Sequence, residues 1–485
     1  MTDRISSTSL FGCDIYEKYP SLSELANHRN SFRGSKTIAP LLLLYKIFFK
    51  MQSYMNTMDD ACDKVKDQFT AENIRKLTSL NDIWEKILRG LDDVMIVAQV
   101  HMLASNSSTV SQAFSFSALG SGSETLTIEH QNDISTILGS ISDVESANVP
   151  EMIQEIAGRI MILKKHEEFL KIDSKKAVEW LEVHLPEVYQ LFKGFMNRHG
   201  HRSINELDFI SKPWSDQPEL IIDMIKTNLR VPTGSNHSTA SKSKPSTVEE
   251  IMANVKTPLG MISSFIIRKL LPKCKQGVQH RENCKSKLVL VINRVRQAVN
   301  YLGERMVQEG FLPDKSLIYH LSKNEVTDLI LTRDARIVTK TIRRSKMFEK
   351  LKELKFAEIS FGNPKPLTQR FNENALKGDV LVTGVPVCSG IVTANACVCK
   401  SFADAGNLKK GDILVTYGTD VGWSPYFPIL SGVVTEIGGL ISHGAVVARE
   451  YGLPCLVGAT SATDLIRNGQ QITLNANEGK ISAAE

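Results

Sequence analysis

One histidine is placed by its neighbours where it could do chemistry, in the segment VVTEIGGLISHGAVVAREYGLPCLVG (433–458). A β-branched run predicts a strand, and Gly438 and Gly439 allow a tight turn after it. Ser442 is a favourable N-cap residue, so His443 is predicted to be the first residue of a helix. The Gly-Leu-Pro sequence further on predicts where that helix ends.

This position favours phosphoryl chemistry at His443. The free N–H groups of a helix N-terminus stabilise negative charge and lower the pKa of an imidazole, which keeps it neutral and nucleophilic. A neutral histidine that attacks phosphorus becomes a phosphohistidine. We predict a phosphate cradle made of Gly438, Gly439, Ser442 and Arg449, with the guanidinium of Arg449 as a forked donor. The alternative is an ordinary histidine near a helix cap.

A second group of chemically capable residues lies around position 204. His201, Arg202, Glu206 and Asp208 form a dense charged cluster near Trp214. Such a cluster could bind a phosphoryl acceptor or assist proton transfer from its hydroxyl group. The alternative is a buried salt-bridge network that fixes a bend between helices.

Composition indicates a globular protein with several domains. The 485 residues are 42% hydrophobic and 23% charged, with a net charge of +5, and this length predicts roughly three domains. The charge is uneven: the residues from Asp379 onward carry −3, and the preceding part carries +8. A basic body and an acidic module fit two domains that meet around an anionic ligand.

The basic run 268–296 has nine Lys/Arg and one Glu. It is typical of a solvated helix face, and the alternative is a surface that attracts phosphate groups. No aromatic residues are interleaved with it in the manner of a nucleic-acid module, so we expect no nucleic-acid partner.

The cysteines and the chain termini bear on the cellular setting. The eight cysteines form no CxxC pair, so we expect no metal site. Cys397 and Cys399 are predicted to lie on one face of a strand as small apolar side chains. Scattered cysteines, the absence of an apolar signal core and the absence of a stretch of about 20 apolar residues predict a cytoplasmic protein with no membrane partner.

The rhythm of apolar residues predicts a mostly α-helical body followed by a compact α+β domain. We predict a helical acceptor-binding region over 1–230, a flexible linker over 231–248 and a helical continuation over 249–362. A hinge linker over 363–377 precedes the α+β domain at 378–485.

One serine-rich run interrupts the predicted helices of the body. The segment 105–124 contains eight serines and a Gly-Ser-Gly core. We predict a flexible loop there, and the alternative is an oxyanion site built from its backbone N–H groups.

The C-terminal segment resembles the phosphohistidine segment of the mobile, swivelling domain of phosphoenolpyruvate (PEP)-utilising enzymes. That family includes pyruvate phosphate dikinase, PEP synthase and rifampicin phosphotransferase. Its pattern is roughly GG-x-x-[ST]-H-x-A-[IV]-[VI]-A-R-E-x-G-[IL]-P, which GGLISHGAVVAREYGLP (438–454) matches. The segments GVPVCSG (384–390) and GDILVTYGTDVGWSPYFPILSGVVTE (411–436) also resemble this domain. The resemblance implies a β/β/α swivelling fold and His443 as the residue that is transiently phosphorylated.

A looser resemblance covers roughly residues 80–340. The string RHGHRSINELDFISKPWSDQPELI (198–221) is similar to a segment in the central domain of rifampicin phosphotransferase-like proteins. The family implies Mg²⁺ and ATP, bound by an ATP-grasp domain. We find no such domain in this sequence and expect it upstream in a longer product or in trans.

The sequence therefore predicts a phosphotransferase component of a dikinase-like, ATP-dependent enzyme. A phosphohistidine on a swivelling domain would carry a phosphoryl group to a small-molecule acceptor. The alternative is a non-catalytic binding or regulatory remnant that has lost its nucleotide domain.

Overall fold

The computed structural model describes residues 50–119, 145–230, 247–257, 260–351, 380–440 and 442–484, with a few isolated positions between 130 and 137 and between 354 and 366. The chain divides into two compact units. The first comprises residues 1–104, 207–210 and 287–371, and the second comprises residues 105–206, 211–286 and 372–485. The described part agrees with the predicted fold class, a helical body followed by an α/β domain.

Helices build the described part of the first unit. Capping residues set several of their ends: the hydroxyl of Ser322 accepts from the backbone N–H of Glu325, whose carboxylate accepts from the N–H of Ser322. The Trp84 indole donates to the Thr327 hydroxyl at 2.9 Å. The helices that lie wholly in this unit are α1 (Met51–Gln68), α2 (Ala71–Arg75), α11 (Lys323–Thr332) and α12 (Ala335–Leu351).

Two long helices contribute residues to both units, α3 (Leu80–Leu119) and α10 (Met261–Gln308). The helix α3 corrects one prediction, because the serine-rich run is helical as far as Leu119 and is not a loop there. Serine is only weakly unfavourable inside a helix, and burial of Ser108 and Ser111 against protein outweighs that preference. The remainder of the run, 120–124, lies outside the described residues.

Most helices of the second unit that precede the sheet pack around one apolar core, whereas the short helix Val248–Ala253 joins a separate apolar cluster through Ile251. One helix ends just before Pro186 and the next begins at that proline, since the residue before a proline avoids helical geometry. These helices are α4 (Glu145–Ile162), α5 (His166–Lys171), α6 (Ala177–His184), α7 (Pro186–His199), α8 (Pro218–Leu229) and α9 (Val248–Ala253).

The C-terminal α+β domain of the second unit contains an eight-stranded sheet in the order β1-β8-β7-β3-β4-β5-β6-β2. Strands β3 to β6 are parallel neighbours, and the other pairings are antiparallel. The strands are β1 (Val380–Thr383), β2 (Val385–Cys388), β3 (Ile391–Cys399), β4 (Ile413–Thr416), β5 (Gly432–Thr435), β6 (Cys455–Val457), β7 (Gln471–Asn475) and β8 (Lys480–Ala483). Helices α13 (His443–Tyr451) and α14 (Ala462–Leu465) complete this domain.

One apolar core joins the C-terminal domain to helices α4 to α8. The 3₁₀ segment Val421–Ile429 lies at the centre of the shared core and packs against α4 and α8. Its Phe427 side chain is fully buried, and Trp423 and Tyr426 are nearly so. The domain is therefore held to these helices by burial of large aromatic side chains.

The predicted linkers lie almost wholly outside the described residues. Only Thr247 and Val248 of the linker 231–248 are described, and they begin α9 with a capping box. Of the hinge 363–377, only 365 and 366 are described. The predicted domain boundaries therefore stay predictions. Among the residues that are described, no helix combines the length and the apolar composition needed to cross a membrane.

Candidate active site around His443

The glycine turn places His443 at the start of α13. Gly438 has φ +116°, a conformation that L-residues with a side chain rarely adopt. A Cβ on Gly439 would meet nothing within 4 Å, so the space beside the turn is open. Ser442 occupies the N-cap position with extended backbone, although its hydroxyl makes no capping hydrogen bond. The predicted position of His443 as the first helical residue is confirmed.

A second close approach brings the segment after β4 against the start of α13. A Cβ on Gly444 would lie 2.1 Å from the Thr419 hydroxyl oxygen, so only glycine fits there. Strands β4 and β5 are parallel, and Thr416 and Thr435 pair in register. Ser424 and His443 each lie eight residues beyond one of these threonines. The carboxyl ends of adjacent parallel strands thus bring the two segments together, as is usual for ligand sites in such sheets.

Ser424 is the direct partner of the candidate histidine. Its Oγ lies 2.9 Å from Nε2 of His443. The serine is fully buried, so its position is set by the packing of the Val421–Ile429 segment. This hydrogen bond fixes the orientation of the half-buried imidazole.

Two ion pairs from the helical body lie in the same electrostatic environment as His443. Arg202 Nη1 binds Glu206 Oε1 at 2.9 Å, and Lys285 Nζ lies 3.2 Å from Glu206 Oε2. The side chains of Arg202 and Glu206 are 3% and 2% exposed. The buried network that was the alternative to an acceptor site is therefore present. Its members nevertheless lie close enough to His443 to shift its pKa.

A third ion pair is formed by two consecutive residues of α10. Arg281 donates through Nη2 and Nε to Oε1 of Glu282, at 2.8 and 3.2 Å. Burial raises the pKa of Glu282, but the charges of Arg281, His443 and Lys285 lower it by more, to about 2. The carboxylate is therefore ionised under ordinary conditions.

The environment keeps His443 uncharged. Its pKa is lowered to about 4, chiefly by burial and then by the positive charge of Lys285. Arg202 acts in the same direction, whereas the carboxylates of Glu282 and Glu206 oppose it. A neutral imidazole has a nitrogen lone pair available, which a nucleophile requires.

Arg449 is buried and lies against the glycine turn. Its Nη1 donates to the carbonyl oxygen of Leu440 at 2.7 Å, so in this conformation it braces the turn that precedes His443. Burial lowers the pKa of Arg449 to about 10, which leaves it cationic at neutral pH. Arg281 is near enough to contribute to that shift.

Two of the four predicted residues around position 204, Arg202 and Glu206, belong to the ion-pair network that shifts the pKa of His443. Arg202 and Glu206 lie in the second unit with His443. His201 is half-buried and lies in the same bend, residues 200–206. Asp208 belongs to the first unit, where its carboxylate accepts from the backbone N–H of Ile210 at 3.0 Å. The proposed acceptor-binding role of these four residues stays a prediction.

Asp420 links the C-terminal domain to the same bend. Its carboxylate accepts from the backbone N–H of Asn205 at 2.8 Å and from that of Gly422 at 2.9 Å. Asn205 has φ +56°, an uncommon conformation that directs its N–H toward this carboxylate. The bond places the 200–206 bend beside the start of α13.

Sequence reasoning missed four residues of this environment: Ser424, Arg281, Glu282 and Lys285. The signals were available but unspecific. Ser424 lies inside the Trp-Ser-Pro motif of the family-like segment, and the other three lie in the basic run of α10. Three residues of the run thus belong to the surroundings of the candidate histidine, and the alternative that the run attracts phosphate groups stays a prediction.

The side chains around His443 suit an anion better than a divalent cation. The two carboxylates that shift the pKa of His443 are already paired, Glu206 with Arg202 and Lys285, and Glu282 with Arg281. Within the described ranges, no cluster of three or more His, Cys, Asp or Glu could hold a metal ion. Any Mg²⁺ that accompanies a nucleotide is therefore not assigned to these residues. The sulfurs of Cys397 and Cys399 are buried 3.8 Å apart on one strand face, as predicted.

Two family models match the chain. Residues 97–282 match the fourth domain of rifampicin phosphotransferase, and residues 408–479 match the mobile domain of PEP-utilising enzymes. The second match contains His443, and the first contains Arg202, Glu206, Arg281 and Glu282.

Curated relatives agree with these matches. Rifampicin phosphotransferase from Bacillus cereus is 32% identical over 305 residues, 61% of this chain and 34% of the relative. The Streptomyces sviceus protein of the same name is 30% identical over 302 residues, 61% of this chain and 34% of the relative. An uncharacterised phosphotransferase from Bacillus subtilis is 24% identical over 304 residues, 59% of this chain and 35% of the relative.

The chain spans about a third of the length of these relatives. The matched residues include the candidate histidine and most of its charged surroundings. The chain is therefore similar to the PEP-utilising phosphotransferases in two regions, one that matches the mobile domain of that family and one that matches a domain of rifampicin phosphotransferase.

Proposed function

We propose that this chain carries a phosphoryl group on His443 and transfers it to a small-molecule acceptor. The observation that carries the proposal is the neutral imidazole of His443 at a helix N-terminus, among the cations Lys285 and Arg202. A neutral nitrogen can attack phosphorus, and the helix N–H groups and the cations stabilise the charge of the bound phosphoryl oxygens.

The first step forms a bond between a ring nitrogen of His443 and phosphorus, while the bond from phosphorus to the leaving oxygen of the donor breaks. ATP is the proposed donor, and its Mg²⁺ neutralises phosphate charge during the transfer. An ATP-grasp domain, upstream in a longer product or on a separate chain, would hold both. Swivelling of residues 378–485 about the 363–377 segment would carry the group between donor and acceptor.

The acceptor end of the cycle is supported by the docked position of the C-terminal domain. His443 shares its electrostatic environment with Arg202 and Glu206 from the 200–206 bend, and Asp420 bonds to that bend. An acceptor hydroxyl beside these residues would be within reach of the phosphohistidine.

Labelling tests this proposal. The purified chain is incubated with Mg²⁺ and ATP labelled at the β or γ position, with and without an isolated ATP-grasp domain. We expect an acid-labile, base-stable label on the wild type and none on His443→Ala. The control is His184→Ala, an exposed histidine that lies far along the chain on α6.

Equal labelling of wild type and His443→Ala would contradict the proposal. Absence of label from the wild type under all these conditions would favour the alternative, a non-catalytic binding or regulatory remnant. Label on the isolated chain would place a nucleotide site within it.

The hydrogen bond between Ser424 and His443 leads to a separate prediction. Ser424→Ala should slow the labelling of His443 about tenfold, because a lost hydrogen bond of about 1.4 kcal/mol corresponds to a factor of ten. Ser424→Thr keeps the hydroxyl and should retain most of the rate. Initial rates of label incorporation measure the effect, and an unchanged rate in Ser424→Ala would show that the hydroxyl does not orient the ring.

A further inference from the structure

The pair Arg281 and Glu282 has an unusual geometry. Consecutive residues on a helix point to different sides, so they do not normally meet. Here two nitrogens of Arg281 bind one carboxylate oxygen of Glu282, and the side chains are only 13% and 7% exposed. Both side chains are therefore turned toward the same enclosed place on α10.

That place lies near the start of α13. Val278, one turn before Glu282 on α10, and Val446, three residues after His443 on α13, belong to one buried apolar cluster. Glu282 and His443 are close enough to shift each other's pKa values, and Arg281 and Arg449 interact in the same way. In the unphosphorylated protein the Glu282 carboxylate is thus an anion among cations. A phosphoryl group on His443 would bring a second anion into the same space, and the two would repel each other.

Arginine pairs with phosphate at least as well as with carboxylate, because its fork fits both. We propose that Arg281 exchanges the Glu282 carboxylate for the phosphoryl group of phospho-His443, and that the released Glu282 accepts the proton of the attacking acceptor hydroxyl. This inference rests on the proposed function, and it names a catalytic base that neither the sequence pattern nor the family matches assign.

Transfer to the acceptor exchanges one bond to phosphorus for another. The acceptor oxygen forms a bond to phosphorus, and the bond between phosphorus and the His443 nitrogen breaks, returning its electron pair to the ring. The hydroxyl proton passes to Glu282. When the phosphorylated product leaves, Arg281 returns to Glu282 and the proton is released to solvent.

The charges around Glu282 explain why it can change roles. Burial favours the protonated form of this carboxyl group, and its pKa is held low by Arg281, then by His443 in its protonated form and by Lys285. Engagement of Arg281 by the phosphoryl group removes the largest of these influences, and the phosphoryl charge opposes ionisation further. Glu282 then becomes a competent base.

Glu206 is the other carboxylate that shifts the pKa of His443, and its surroundings argue against the same role. It is held by two cations at once, with Arg202 at 2.9 Å and Lys285 at 3.2 Å. Loss of one of these cations to the phosphoryl group would leave the other in place. Glu206 therefore remains a paired, structural anion.

The test uses water as the acceptor, so it needs no knowledge of the natural one. The full chain is phosphorylated chemically with phosphoramidate, the reagent is removed, and the label on the His443 peptide is followed at pH 8 by mass spectrometry. Positioned general bases contribute roughly 100-fold or more to such steps. We expect the label on Glu282→Gln to persist roughly 100-fold longer than on the wild type.

The matched control is Glu249→Gln, an exposed glutamate whose label lifetime should equal that of the wild type. Glu282→Asp should restore part of the wild-type rate, and circular dichroism checks that each variant is folded. If Glu282→Gln proves unfolded, the comparison of Glu282→Asp with wild type decides, since an unchanged lifetime there overturns the inference.

The two proposals fail in distinguishable ways. Equal label lifetimes in Glu282→Gln and wild type overturn the assignment of Glu282 while leaving His443 as the carrier. Failure of His443 to accept phosphate in the wild type overturns the proposed function itself.

Discussion

Replacement of Glu206 by glutamine is expected to lower the free energy of unfolding of the second unit by about 3–5 kcal/mol. The carboxylate is 2% exposed and binds Arg202 and Lys285. Glutamine has nearly the same shape but no charge, so Arg202 would remain buried without a counter-charge. Denaturant unfolding measures the loss of free energy of unfolding, and hydrogen exchange of residues 200–206 reports it locally.

A surface glutamate provides the control. Glu187 binds Arg159 at 2.6 Å, but both side chains are almost half exposed. Glu187→Gln should therefore cost less than about 1 kcal/mol. A similar loss in both variants would show that the Glu206 network is not desolvated as the structure indicates.

The effect of Glu206→Gln should depend on pH. Burial raises the pKa of Glu206, but Lys285 and Arg202 lower it by more, so the net pKa lies below that of an unfolded glutamate. A lowered carboxyl pKa contributes stability above the unfolded value, and that contribution is lost as the pH falls toward the folded value. The difference between wild type and Glu206→Gln should be full at neutral pH and should shrink in acid.

Replacement of Phe427 by alanine is expected to cost about 3–5 kcal/mol, the usual range for a fully buried phenylalanine. Its side chain is 0% exposed and belongs to the core shared by the C-terminal domain and helices α4 to α8. Because the same segment carries Ser424, loosening it should also release the ring of His443. Thermal and denaturant unfolding measure the first effect, and the labelling rate of His443 measures the second.

Phe265→Ala is the matched control for Phe427→Ala. It is 62% exposed at the beginning of α10, so Phe265→Ala should change stability by no more than about 0.5 kcal/mol. If Phe265→Ala lost as much free energy of unfolding as Phe427→Ala, burial in the shared core would not explain the loss in Phe427→Ala.

Local sequence was sufficient to predict the position of the candidate nucleophile. The glycines before Ser442 and the Gly-Leu-Pro sequence after Tyr451 act over a few residues of chain, so the turn, the helix start at His443 and the helix end at Gly452 follow from backbone preferences alone. The β-branched runs of the C-terminal domain predicted its strands for the same reason. The serine-rich run was misjudged because the burial that makes it helical involves residues distant in sequence.

The partners of His443 were decided by tertiary structure. Ser424 contacts His443 because the parallel strands β4 and β5 pair in register. Neither segment specifies that pairing by its own sequence. Arg202, Glu206 and the charged turn of α10 come from residues more than 150 positions earlier in the chain. Sequence alone could thus indicate which residue reacts, whereas its protonation state and surroundings arise only when distant segments exclude water and place their charges together.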